Sequence, residues 1–322
     1  MRLPSRTALV FSEQVRTLLG PPPEVDMLVW DGDGDPPPGV ERTGFWVPPY
    51  LVEEFGRFLA RLPALEVVQL ITAGADAFVG RLPPGVLLCD ARGVHGGPTA
   101  EWVLAVVLAS VRHLPRFVLA QAQRRWDPNR FTDELAGKRV LVVGAGDVGG
   151  QLRRRLLAFD VEVTMVARRP RPARPAGTGG SGSGAEPAVA GVDELPALLP
   201  AADIVVVVVP LTPATRGMVD AAFLARMRDG ALLVNGSRGP VADTDAVTAE
   251  LVCGRLRAAL DVTEPEPLPA DHPLWTAPGL LLTPHIGGAV PGLAGRAGAL
   301  IRAQLARWLI GEPLQNVVVD GY

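Results

Sequence analysis

Residues 139–149 read RVLVVGAGDVG, an apolar run that ends in Gly144, Gly146 and Gly149 with G-x-G-x-x-G spacing. Three glycines alone would specify little. Here they follow a strand-like run, open the helix-like stretch DVGGQLRRRLLAF, and precede a second apolar run, VEVTMVA, at 161–167. That context fits a strand–loop–helix–strand unit that receives a dinucleotide. The first glycine permits the tight turn, the second lets the backbone approach a pyrophosphate, and the third lets helix and strand pack closely. The helix start then offers free N–H donors and the positive end of its dipole, to which Asp147 and Val148 belong. Asp147 is the exception in the pattern, because a carboxylate beside a pyrophosphate is repulsive unless it points away or pairs with an arginine.

The runs 139–144, 161–167 and 203–209 are apolar at successive positions instead of alternating, as parallel strands covered on both faces must be. Further strands are expected at 230–236, 258–262 and 279–284. The rhythm predicts a doubly wound α/β domain. Residues before 98 show a weaker version of it, with strands at 27–30, 44–47, 67–74 and 85–91 and a helix at 49–63 between two of them. A long helical stretch at 99–126 should be kinked or split by Pro115, and helical periodicity returns at 293–312. The expected fold is therefore α/β, with two Rossmann-like domains of doubly wound parallel sheets, the larger one binding a dinucleotide. Residues 1–97 with 286–322 form a flavodoxin-like substrate domain in this reading, and 98–285 the dinucleotide domain.

The end of the second strand bears on the choice of cofactor. An enzyme that uses NAD usually places Asp or Glu there for the ribose 2′-hydroxyl. This chain has Ala167, Arg168 and Arg169 instead. Two guanidiniums suit a 2′-phosphate as forked, charge-assisted donors, so NADP(H) is preferred and NAD(H) stays open; a solvated arginine pair is the plainer alternative. Arg171 and Arg174 are expected to be merely solvated. The segment 173–187, ARPAGTGGSGSGAEP, is too rich in Gly and Ser to bury apolar area and predicts a mobile surface loop.

The chain's 322 residues are enough for two cores. Its 31 basic and 34 acidic residues give no global attraction to nucleic acid or anionic membrane. Cys89 and Cys253 lie in no metal or redox spacing, so no metal is expected and a reducing cytoplasm fits. The N-terminus does not read as a signal peptide, and the longest apolar run is far shorter than a membrane helix.

Reactive side chains gather in three later segments. Arg238 follows an expected strand, where α/β sheets collect ligands. Asp261, Glu264 and Glu266 follow the next, and His285 the one after. An arginine can clamp a carboxylate, a histidine can hand a proton to a carbonyl oxygen, and a glutamate on the far ring nitrogen can keep that histidine charged. Each has a plain alternative as surface ion pair, helix-start acid or satisfied loop histidine.

The segments VVGAGDVGG, PLTPATRGMVD, VNGSRGPVADTDAV, LDVTEPEPLPADHPLW and LTPHIGG, in that order, resemble the D-isomer-specific 2-hydroxyacid dehydrogenase family. The resemblance runs from about Ala73 to the C-terminus. It implies Arg238, Glu266 and His285 as catalytic residues and Asp261 as the partner of the nicotinamide carboxamide. It also implies cofactor contacts at Pro210, Thr215 and Gly287. For the substrate it implies carboxylate binding by the backbone amides of Gly74 and Ala75. Trp46, just before the VPPYLVEEF stretch, and Tyr50 within it are further candidates. His95, in RGVHGGPTAEW where the chain departs from the pattern, either touches substrate or caps the following helix. The implied reaction is hydride transfer to the C2 carbonyl of a 2-keto acid, His285 protonating the oxygen.

Glu266 is unlike the formate-oxidising branch, which carries glutamine there. The stretch VPPYLVEEF, which carries no cation, is unlike the arginine loop of the phosphoglycerate branch. ARRPRP with DVTEPEPLP is most similar to glyoxylate/hydroxypyruvate reductases, which makes a small 2-keto acid the expected substrate. A phosphoglycerate dehydrogenase-like NAD enzyme and a cofactor-sensing corepressor-like binding protein are the alternatives. The family pattern also implies a homodimer through the apolar 99–126 helix.

Overall fold

A computed structural model describes residues 6–50, 55–128, 131–173 and 187–319. The described chain forms two compact units, one within Met1–His95 and Ala289–Tyr322, the other Gly96–Gly288.

In the first unit β1 (Arg6–Val10), α1 (Glu13–Leu19), β2 (Val25–Val29), β3 (Thr43–Val47), α2 (Phe55–Leu59), β4 (Val67–Gln69) and β5 (Leu87–Cys89) follow one another. The strands pair in parallel in the order β2-β1-β3-β4-β5. Successive residues of a strand point to opposite faces, and both faces here are apolar. Leu9, Trp46, Val68 and Leu88 pack on one side, and Ala8, Val10, Phe45 and Val67 on the other.

The second unit opens with α3 (Gly96–Val111) and α4 (Leu114–Ala122). The expected 99–126 helix is thus two helices, bent by 70°. The break falls at His113, whose φ is 54°, and Pro115 sits in the first turn of α4, where a missing N–H leaves no helical bond unmade. Then come β6 (Arg139–Val143), α5 (Asp147–Leu156), β7 (Glu162–Ala167), β8 (Val189–Gly191), α6 (Leu195–Leu198), β9 (Ile204–Val207), α7 (Ala221–Arg226), β10 (Leu232–Asn235), α8 (Thr244–Val252), β11 (Arg257–Leu260) and β12 (Leu280–Leu282). Seven parallel strands run β12-β11-β10-β9-β6-β7-β8. Leu141, Val143, Val205, Val207 and Leu233 face one helical layer, while Val140, Val142, Ile204, Val206 and Leu232 face the other. Complete burial of each such side chain is worth roughly 1.5–3 kcal/mol against exposure. The strand order reverses between β6 and β9, the point where open sheets receive ligands.

The chain ends with α9 (Leu293–Ile310), which belongs to the first unit. Ile301, Leu305 and Trp308, spaced for one helix face, pack against the β1–β3 side of that sheet. Buried Gln304 binds the Gln69 side chain at the end of β4 and the Gln315 carbonyl, holding the tail to the sheet. The glycine–serine stretch expected to be a mobile loop lies, from 174 to 186, outside the described residues, as does Arg174. Among the described residues no single helix is long and apolar enough to cross a membrane.

The two thiols differ sharply. Burial, reinforced by the neighbouring Asp90 charge, pushes the Cys89 thiol up to about 12, whereas Cys253 is exposed. A thiol reagent at neutral pH is expected to label one cysteine in the native chain and two in denaturant. Two rapid equivalents without denaturant would contradict this packing.

Candidate active site

The glycine loop leaves β6 at the reversal of strand order. Gly144 has a φ of 121°, open to glycine, and a Cβ there would strike the carbonyl of Val208. A Cβ on Gly149 would collide with the carbonyl oxygen of Gly144, so helix α5 can lie this close only without a side chain at 149. Gly146, the N-cap of α5, has no capping side chain, and a Cβ on it would meet nothing within 4 Å. An uncapped ten-residue helix therefore begins beside open space. Free N–H groups and a positive helix end facing such a space fit a pyrophosphate.

Asp147 borders that space, but its carboxylate is turned toward α3. A Cβ on Gly96 would collide with its carboxylate, which therefore lies against the N-terminus of α3. A negative charge there is stabilised by the α3 dipole, by about 0.3–1 kcal/mol for an ordinary placement. The acid that looked out of place beside a phosphate thus serves a second helix.

Arg168 and Arg169 follow β7 and are exposed. Arg171, expected to be only solvated, is a correction. Its backbone pairs with Val189 in both directions, at 2.9 and 2.8 Å, and its Nη2 donates to the Ala145 carbonyl at 3.2 Å. The pairing bends the chain back, so the guanidinium reaches over the glycine loop. A cleft of about 430 Å³ opens here, lined by Gly146, Gln151, Arg153, Arg154 and Arg171 among others. Beyond β9, the Thr215 hydroxyl donates to the Pro210 carbonyl at 2.6 Å and closes the turn that carries both residues.

Arg238 stands at the C-terminal end of β10. Buried Asn235 shapes its turn, accepting from the Ser237 N–H and hydroxyl at 3.1 and 2.5 Å. Arg238 Nη1 donates to the Ser237 carbonyl at 2.8 Å. A Cβ on Gly239 would collide with the Thr263 carbonyl, so the arginine turn lies directly against the segment that leads to Glu266.

Asp261, at 5% exposure, organises the histidine loop. Its backbone carbonyl accepts from His285 N at 2.7 Å. Its carboxylate accepts from Ile286 N at 2.9 Å, Gly287 N at 2.7 Å and the Thr283 hydroxyl at 2.6 Å. Three consecutive amides are therefore held by one residue, with His285 at φ 54°, a left-handed backbone unusual for a side chain other than glycine. An ionised carboxylate has about four acceptor sites. Three are filled from within the chain.

Of the two nearby glutamates it is Glu266 that meets the ring, its Oε1 lying 2.7 Å from His285 Nδ1. With Glu266 accepting, Nδ1 carries a proton and Nε2 is the ring nitrogen left for chemistry. The side chains are 30% and 42% exposed, open enough for a small molecule to reach.

On the first unit, Gly74 and Ala75 lie in the turn after β4, where the Thr72 hydroxyl donates to the Gly74 carbonyl at 2.9 Å. Tyr50 is 59% exposed and His95 partly buried. Trp46 corrects an expectation. It is completely buried in β3, stacked on Phe58 at 5.0 Å, and is a core residue with no surface to offer a substrate. Alternation along β3 decides this, since both faces of that sheet are covered.

A family model described as "D-isomer specific 2-hydroxyacid dehydrogenase, NAD binding domain" matches residues 104–287. The chain belongs to the D-isomer-specific 2-hydroxyacid dehydrogenase family. Glyoxylate/hydroxypyruvate reductase B of Citrobacter koseri is 34% identical over 239 residues, 72% of this chain and 71% of that one. A D-3-phosphoglycerate dehydrogenase of Methanocaldococcus jannaschii is 33% identical over 236 residues, which cover 73% of this chain but only 43% of that protein. The crystal structure of a family member from Xanthobacter autotrophicus Py2 in complex with NADPH and MES has a TM-score of 0.83 at 31% identity, covering 99% of this chain and 100% of that chain. The uncapped α5 start and open glycine loop fit the dinucleotide that the matched domain is described as binding.

Sequence reasoning missed Thr283 and Gly239 as parts of this dehydrogenase site. The signal available was their position two residues before His285 and one after Arg238. Replacing Asp261 by Asn would set an NH2 group against backbone N–H donors. Thermal unfolding of Asp261→Asn is expected to show a loss of about 2 kcal/mol, a fall in Tm of roughly 4–8 °C. An unchanged Tm would deny Asp261 this role.

Proposed function

We propose that the chain is an NADPH-preferring reductase of small 2-keto acids of the glyoxylate or hydroxypyruvate kind, forming the D-2-hydroxy acid. The observation that carries the reading is the Glu266–His285 pair at 2.7 Å, held on the Asp261 scaffold beside the Arg238 turn. The Gly144–Gly149 loop with the N–H groups of Asp147 and Val148 would hold the pyrophosphate. The Pro210–Thr215 turn and Gly287 would hold the nicotinamide end, and Asp261 would offer its remaining acceptor site to the carboxamide. When bound, the dinucleotide supplies hydride to the C2 carbonyl carbon.

The protein's own groups do the rest. Arg238 pairs with the substrate carboxylate and polarises the carbonyl. His285, protonated at both ring nitrogens, donates from Nε2 to the carbonyl oxygen as hydride arrives at carbon. The product hydroxyl thus takes its hydrogen from the ring, and Glu266 stabilises the imidazolium before transfer. Oxidation of the hydroxy acid reverses each movement. Gly74, Ala75, Tyr50 and His95 are the substrate-side residues of this reading.

Arg168, Arg169 and Arg171 support the choice of NADP(H). The first two replace the acid expected for NAD, and Arg171 is folded over the loop in place. A cytoplasmic homodimer is part of the same reading. On α4, Leu114, Val118 and Leu119 are 49%, 62% and 64% exposed, and Trp126 beyond it is 92% exposed. A second copy would cover that face.

Oxidation of NADPH with a panel of 2-keto acids tests the activity, and His285→Gln is expected to lower kcat by about two to four powers of ten. No turnover of any keto acid would end the enzymatic reading. Preference for a phosphorylated keto acid with NADH would favour the phosphoglycerate branch. The ratio of kcat/KM with NADPH to that with NADH is expected to exceed about ten and to collapse in Arg168→Ala/Arg171→Ala, since each lost charge-assisted contact is worth about 1.5–3 kcal/mol. Equal efficiencies in the parent chain would assign the arginines to solvent. Sedimentation should give a dimer that Val118→Asp/Leu119→Asp converts to monomer, and a monomeric parent would remove the α4 interface.

A further inference from the structure

Trp102, in the second turn of α3, touches both turns that carry the reacting side chains. Its Nε1–H lies 3.1 Å from the Thr283 hydroxyl oxygen, and that hydroxyl lies 2.6 Å from Asp261 Oδ1. An indole N–H can only donate, and a carboxylate only accepts. The direction of the chain is therefore set. Trp102 donates to Thr283, and Thr283 passes its single hydrogen to the carboxylate that holds the amides of Ile286 and Gly287.

The ring itself is wedged between two glycines. A Cβ on Gly236 would lie 3.2 Å from Trp102 Cζ3, and one on Gly287 would lie 3.3 Å from Cγ and Cδ2. Gly236 is two residues before Arg238, and Gly287 two after His285. One indole thus spans from the arginine turn to the histidine turn, with its N–H end tied to the residue that fixes the latter.

The geometry points to Trp102 as a positioning residue. It sets the separation of the Arg238 and His285 turns, and through Thr283 it orients Asp261, so that acid and anchor meet one substrate at once. Transfer steps are steeply sensitive to such placement, a shift of about 1 Å costing up to about a hundredfold in rate. This inference rests on the proposed reductase activity for its kinetic consequence, but its structural claim can be read without turnover.

Trp102→Phe keeps a ring and removes the N–H; Thr283→Val keeps the volume and removes the hydroxyl. Their histidine-ring 1H–15N NMR spectra, with the His285 signals assigned by His285→Gln, should show the His285 resonances displaced or broadened in both variants. Thermal unfolding should meanwhile stay within a few degrees of the parent. With an accepted keto acid, kcat is expected to fall about tenfold in each variant, and by no more than about tenfold in the pair because they break the same chain. His285 signals that coincide with the parent in both variants would overturn the inference. So would a loss of kcat that merely follows a loss of folded protein. A parent chain that reduces no keto acid would refute the reductase reading alone, and the His285 signals would still decide the role of Trp102. Both substitutions conserve volume or ring, so the test does not depend on the more disruptive Trp102→Ala.

Discussion

A single buried carboxylate holds the acid of this site in place. Asp261 collects three consecutive backbone positions, two through its side chain and one through its own carbonyl. Without those acceptors the left-handed turn at His285 would lose the partners of the Ile286 amide and of the buried Gly287 amide, the latter at about 1–3 kcal/mol. The remaining geometry follows from it. Once His285 is fixed, Glu266 can approach Nδ1, and a defined ring nitrogen is then left for chemistry.

The second organising device is the close approach of backbone to backbone. Gly149 lets α5 reach the glycine loop, and Gly239 lets the arginine turn rest on the segment entering Glu266. Parallel strands buried on both faces expose functional groups at their C-terminal ends. The consecutive ends of β10, β11 and β12 then supply arginine, aspartate with glutamate, and histidine in turn. Loops that emerge side by side become a site only if they can touch, and the small residues at 239 and 287 allow it.

Much of this was legible in the amino-acid sequence because the signals are local. The apolar runs of β6, β7, β9 and β10 fall within the expected segments; β6, β9 and β10 are buried along almost their whole length, whereas β7 is buried only at Met165 and Val166. Helix α9 starts at the expected residue for a similar reason, its apolar spacing being intact over five turns. The features that were not legible depend on distant partners. The three-residue strand β8 has too few residues for a pattern and gains its identity only beside β7. Arg171 looks like any loop arginine until that pairing folds it back onto Ala145. Trp46 looks available until the second helical layer covers β3. The 99–126 helix was readable as divided, but its break sits at His113 and not at the proline, because proline is tolerated in a first helical turn.

The placement of Asp147 against Gly96 has a consequence for how this protein can vary. Position 96 has no room for any side chain while a carboxylate of that length stands at position 147. A larger residue at the start of α3 must therefore coincide with a shorter or redirected one at the start of α5. Two positions 51 residues apart in the chain thus carry one constraint between them: position 96 can grow only once position 147 shortens or turns away, whereas 147 can shorten alone.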